Sequence, residues 1–243
     1  MKRKQSIKNR TSKIILALDV DNFDKAKYFV NKLYPEIKIF KVGIHLFISC
    51  GVKIIKYIHK IGGEVFLDLK FFDIPNTTVN AVRQAVRMGV EMLTLHILGD
   101  AEMLKSALEA AQDEADKLKI KRPLLIGVTV LTSKDVASSD VLILAKMGLD
   151  CGLDGVVCSA QEAALLRRKI KKDFVIVTPG IRPKTAVVGD QKRVMTVEEA
   201  IKAGSNFLVI GRPILEAQNH LEAAKKINLA AKDCCKMPNF ASF

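Results

Sequence analysis

The 243-residue sequence has no tryptophan and only three tyrosines, and aromatic residues make up 6% of it. A groove for single-stranded nucleic acid stacks bases on aromatic side chains, so this scarcity argues against one. Cysteines are few as well: five, at 50, 151, 158, 234 and 235, an odd number without a Cys-x-x-Cys spacing. That pattern disfavours a disulfide framework and fits a reduced, cytoplasmic compartment. The four histidines, at 45, 59, 96 and 220, form neither His-x-His nor His-Glu-x-x-His, so no histidine metal site is expected. No apolar run nears the roughly 20 residues of a membrane span. The basic start MKRKQSIKNRTSK leads only into Ile14 to Leu18 before Asp19 interrupts, too short for the apolar region of a signal peptide. A Gly-x-Gly-x-x-Gly turn is also missing after the first strand-like segment, which disfavours an open dinucleotide-binding sheet.

What is present is a globular composition, 49% apolar and 27% charged, with a net charge of +13. Lys2, Arg3, Lys4, Lys8, Arg10 and Lys13 crowd into residues 1–13 without one acid. Two further basic clusters, Lys117 to Arg122 and Arg167 to Lys172, fall where helices should end, a place the helix dipole favours for cations. The excess therefore reads as a basic arm and a solvated face, and neither nucleic acid nor membrane is expected as a partner.

Short β-branched and apolar runs alternate with longer segments of helical period. Strands are predicted at 14–19, 39–43, 64–70, 91–96, 124–130, 154–159, 174–180 and 206–211. Helices are predicted near 22–33, 46–61, 76–88, 100–119, 138–151, 160–169, 196–203 and 213–228, several closing on glycine as at Gly62, Gly89, Gly152 and Gly204. Eight strands, each followed by a helix, predict an α/β fold: a single (β/α)8 TIM barrel. It should span 14–229, after the arm at 1–13 and before a peripheral tail at 230–243.

Strand alternation then sorts the charges. In the third strand Val65, Leu67 and Leu69 share one face, and Phe66, Asp68 and Lys70 share the other. The apolar face should meet the helices, which turns Asp68 and Lys70 inward at the end where barrel enzymes keep their catalytic groups. The same parity sends Asp19, Lys41, Thr94 and His96 inward. A structural ion pair would explain any two of these charges, and His96 alone reads most simply as a core histidine. Asp19, Lys41, Asp68 and Lys70 gathered on one rim point instead to function. Asp73, ahead of Pro75 and Thr77, is suited to capping the helix that follows. Carboxylates could hold magnesium, but Lys70 between Asp68 and Asp73 would compete for their charge.

Thr178-Pro179-Gly180-Ile181-Arg182 follows the seventh strand and Ile210-Gly211-Arg212-Pro213 the eighth. Barrels build phosphate sites from these two loops, with glycine admitting the ligand to the backbone and arginine offering forked donors. Ordinary turn chemistry also uses Gly and Pro there. The long stretch from Gly180 to Arg193 reads as a closing lid.

Ala17-Leu18-Asp19, Phe40-Lys41-Val42-Gly43, Asp68-Leu69-Lys70-Phe71-Phe72-Asp73-Ile74-Pro75-Asn76-Thr77, Thr178-Pro179-Gly180-Ile181-Arg182 and Ile210-Gly211-Arg212, in this order, resemble the orotidine 5′-monophosphate decarboxylase family over roughly 14–228. The resemblance implies a carboxy-lyase of pyrimidine biosynthesis without metal or organic cofactor. Lys41, Asp68, Lys70 and Asp73 would then form an alternating catalytic array with Lys70 as proton donor. Asp73 and Thr77 would reach into the partner's site in a homodimer. Asp19 and Lys41 would hold ribose hydroxyls, Thr132 the pyrimidine ring, and Gln191, Gly211 and Arg212 the phosphate of the nucleotide, with Arg182 in or beside that grip. The alternative is a magnesium-dependent phosphosugar decarboxylase or aldolase of the same superfamily, against which Lys41 speaks, since those enzymes carry an acidic ligand in the second strand.

Overall fold

The computed structural model describes residues 14–130, 137–182 and 195–236. Eight parallel strands close into one barrel: β1 (Ile14–Ala17), β2 (Ile39–Gly43), β3 (Glu64–Phe71), β4 (Met92–His96), β5 (Leu124–Val128), β6 (Gly155–Val157), β7 (Val175–Thr178) and β8 (Phe207–Ile210). The seam is shut by β8 pairing with β1, Ile14 opposite Leu208 and Leu16 opposite Ile210.

Strand alternation divides the apolar side chains between two cores. Ile15, Ala17, Ile39, Phe66, Met92 and Ile126 fill the barrel interior with Val177, Phe207 and Val209. Leu16, Leu18, Phe40, Val42, Val65 and Leu67 point the other way, into the layer between strands and helices. The expected parity of the first three strands is thus the observed one. Several strands end sooner than predicted, with Asp19, Pro179 and Gly180 already beyond the ladder. Asp19 therefore stands on the loop that follows β1, whereas Lys41, Asp68 and Lys70 lie within β2 and β3.

The helices are α1 (Phe23–Leu33), α2 (Ile44–Cys50), α3 (Val52–Lys60), α4 (Pro75–Arg87), α5 (Asp100–Leu118), α6 (Ser138–Asp150), α7 (Ala160–Lys169), α8 (Val197–Lys202), α9 (Arg212–Leu215) and α10 (His220–Lys236). Two capping boxes, Ser159 with Glu162 and Thr196 with Glu199, set the starts of α7 and α8. The single helix predicted over 46–61 is two, because Gly51 at φ 56° and ψ −144° takes a backbone conformation reserved for glycine. The segment predicted as 213–228 is likewise split, and α10 runs past residue 229 to Lys236. Ala224, Ile227, Ala231 and Cys234 carry its apolar face to the core, so the packing continues past the boundary expected at residue 229 as far as Cys234. Cys158 is also fully buried, and that burial pushes its thiol pKa up.

One strand breaks its ladder. Leu67 stands opposite Leu93, but the next pairing is Phe71 with Leu95, so residues 68–70 of β3 bulge across Thr94 alone. Lys70, inside that bulge, sits at φ 51°, a left-handed conformation costly for a residue with a Cβ.

Candidate active site

The bulge lies at the C-terminal mouth of the barrel and gathers the inward charges. Lys70 Nζ donates to Asp68 Oδ1 at 2.9 Å, and Lys41 Nζ stands 3.6 Å from Asp68 Oδ2 and 3.2 Å from Asp19 Oδ1. The side chains of Lys41 and Asp68 are only 13% and 14% exposed, and that of Lys70 is 34% exposed. Buried charges persist only when paired, and here one carboxylate lies between two ammonium groups. The cluster faces a cavity rather than packed apolar side chains.

A hydroxyl fixes the carboxylate from behind. Thr94 is fully buried, its Oγ1 donates to Asp68 Oδ1 at 3.1 Å, and it accepts the backbone N–H of Lys70 at 2.8 Å. The backbone donor displaced from the ladder by the bulge thereby has a partner.

Arg182, Gly211 and Arg212, beyond the ends of β7 and β8, line the same cavity together with Pro179, Gly180 and Pro213. Arg182 is 6% exposed and anchored by its backbone N–H to Met195 O at 3.0 Å. A Cβ built on Gly211 would lie 3.5 Å from Asp19 Oδ2, so the backbone after β8 comes close to the Asp19 carboxylate. The structure therefore places Asp19, Lys41, Asp68, Lys70, Arg182, Gly211 and Arg212 around one space. Cationic groups at one end are suited to a doubly charged anion, and the Lys–Asp–Lys cluster at the other is suited to charge that develops during reaction.

Four expected positions do not join them. Asp73 and Thr77 are exposed and outside the cavity wall. Asp73 is not the helix cap predicted: Ile74 is the N-cap of α4, and the Asp73 carboxylate accepts the Ile74 N–H at 2.7 Å because the chain turns one residue later than the capping pattern requires. Thr132 and Gln191 lie outside the described residues. His96 does not face the cavity either; β4 ends there, its Nδ1 accepts the Leu98 N–H at 3.4 Å, and its ring lies 5.4 Å from that of Phe72. Phe66, which strand parity already turns inward, continues into an apolar wall with Val128 and Val157, two residues that the charge pattern did not mark. Among the described residues, no group of three or more His, Cys, Asp and Glu side chains is arranged to hold a metal ion.

The geometry has counterparts among known proteins. The model of the orotidine 5'-phosphate decarboxylase / HUMPS family matches residues 12–227. An orotidine 5'-phosphate decarboxylase of Aliivibrio fischeri (strain MJ11) is 47% identical over 232 residues, covering 91% of this chain and 97% of the relative. One from Geobacter sp. (strain M21) is 44% identical over 238 residues, 93% and 97% of the two chains. The crystal structure of the orotidine 5'-phosphate decarboxylase from Lactobacillus acidophilus superposes with a TM-score of 0.79 at 35% identity, covering 90% of this chain and 98% of that one. With the match spanning the whole barrel and its charged mouth, this chain belongs to the orotidine 5'-phosphate decarboxylase / HUMPS family.

Proposed function

We propose that this chain converts orotidine 5′-monophosphate to uridine 5′-monophosphate and carbon dioxide, the last step of de novo pyrimidine biosynthesis, with no cofactor. The observation that carries the reading is the Lys41–Asp68–Lys70 cluster in the same cavity as Gly211 and Arg212. Arg212, Arg182, the backbone at Gly211 and Gln191 hold the phosphate. Asp19 and Lys41 take the ribose hydroxyls, and Thr132 takes the pyrimidine.

That pose sets the substrate carboxylate against Asp68. Two like charges about 4 Å apart at an effective dielectric near 20 repel by roughly 4 kcal/mol, which phosphate binding at the far end offsets. The bond from C6 to the carboxylate carbon breaks, carbon dioxide leaves, and the electron pair stays on C6. The Lys70 ammonium stabilises that pair and then gives it a proton, regaining its own from solvent.

A homodimer completes the site. Asp73 and Thr77 of each chain reach the partner's cavity, and the side chains flanking Asp73, Phe72 at 60% exposure and Ile74 at 66%, form the kind of exposed apolar surface that a second chain covers. The cysteines, free at 50, 151, 158 and 234, suit a cytoplasmic enzyme.

The test is to add orotidine monophosphate and follow ultraviolet absorbance with and without a chelator. Loss of the substrate band at equal rates in both supports the reading. Turnover that the chelator abolishes would favour the magnesium-dependent sugar-phosphate chemistry instead. Two inactive variants, Lys70→Ala and Asp73→Ala, should recover activity when mixed if the site is shared, and stay inactive if it is not.

A further inference from the structure

The bulge in β3 has an unusual partner. A parallel ladder would satisfy the Lys70 N–H with a backbone carbonyl of β4, but residues 68–70 are looped out and a side chain takes that place. The side chain is Thr94, fully buried, and its one hydroxyl serves both functional residues of the bulge: it accepts from the Lys70 backbone and donates to the Asp68 carboxylate. Asp68 Oδ1 thus receives Thr94 Oγ1 at 3.1 Å and Lys70 Nζ at 2.9 Å, while Oδ2 turns to Lys41 at 3.6 Å.

We infer that Thr94 is a positioning residue, which holds the Asp68 carboxylate and the left-handed Lys70 backbone in the one geometry the reaction uses. The inference rests on the functional reading above. Lys70 at φ 51° stays in a sparsely populated conformation only where its surroundings over-determine it, and the Thr94 hydroxyl is the contact that does so from the neighbouring strand. Asp68 has two rotatable oxygens between two flexible lysines. A hydroxyl on a rigid, β-branched side chain in a barrel strand gives it a fixed reference that neither lysine supplies. Thr94 itself does not line the cavity, so it acts through its neighbours and not on the substrate.

Thr94→Val keeps the shape and removes the hydroxyl; Thr94→Ser keeps the hydroxyl and removes a methyl; Thr94→Ala serves if the valine variant does not fold. Loss of bonds to a charged group predicts a kcat lower on the order of 10- to 100-fold in Thr94→Val. KM for orotidine monophosphate should hold within about three-fold, because the phosphate grip is untouched, and Thr94→Ser should keep kcat within a few-fold. Exchange of the Lys70 amide proton, read by NMR, should quicken in Thr94→Val and stay slow in Thr94→Ser. An unchanged kcat in a folded Thr94→Val, or equal losses in the serine and valine variants, would overturn the inference. If the wild-type protein fails to turn over orotidine monophosphate, the functional reading falls. The amide exchange still decides whether Thr94 holds Lys70, since equal exchange in all variants would mean that it does not.

Discussion

Two partly buried charge clusters stand at opposite ends of the barrel. At the N-terminal ends of β5 and β6, Arg122 grips Asp154 with both prongs, Nη1 to Oδ2 at 2.7 Å and Nη2 to Oδ1 at 2.9 Å, and the Leu125 N–H adds a third bond to Oδ2 at 2.9 Å. At the C-terminal mouth, Asp68 lies between two lysines, one at 2.9 Å and the other at 3.6 Å, on a strand that has left its ladder. The arginine fork is rigid and matched to its carboxylate, so that cluster is complete without a ligand. Ammonium groups are point charges with rotatable donors, and those at the mouth keep capacity toward the cavity. Burial and charge are common to both clusters. Backbone strain at Lys70 and an open space beside it belong to only one, the end proposed above to carry the reaction.

Substitutions should separate the two. Asp154→Ala strands a partly buried guanidinium and frees the Leu125 N–H, which should cost about 3–5 kcal/mol of folding stability while kcat of the folded protein holds. Denaturant melts and assays below the transition check both halves, and a lost kcat would erase the contrast. Arg212→Ala should weaken uridine monophosphate binding by about 1.5–3 kcal/mol and leave uridine binding nearly unchanged, as calorimetry would read. Equal losses for both ligands would remove Arg212 from the phosphate grip. At the small end, the exposed pair of Lys25 on α1 with Asp21 just ahead of that helix, 2.6 Å apart with side chains 58% and 66% exposed, should contribute nothing measurable: Lys25→Ala keeps its melting temperature.

Much of this contrast was legible before any coordinates. Alternation of apolar residues in β1 to β3 placed Asp19, Lys41 and Asp68 inside, because a barrel strand with one face in each core has to obey parity. Loop composition after β7 and β8 located Arg182, Gly211 and Arg212. Parity could not show the bulge, since three residues against one add two to the strand and leave its alternation intact. The end of β4 at His96 was expected, but parity could not show that the His96 side chain turns onto Phe72. The break at Gly51 was hidden because α2 and α3 keep a helical pattern on both sides of it. Asp73 and Thr77 have no role that one chain can reveal, for their expected targets lie on another.

The central claim is that Lys70 supplies the proton, and Lys70→Ala tests it most directly when turnover, uridine monophosphate binding and melting are measured on one preparation. A folded protein that binds the product but no longer releases carbon dioxide from orotidine monophosphate is the expected result. Turnover surviving in that variant would contradict the account.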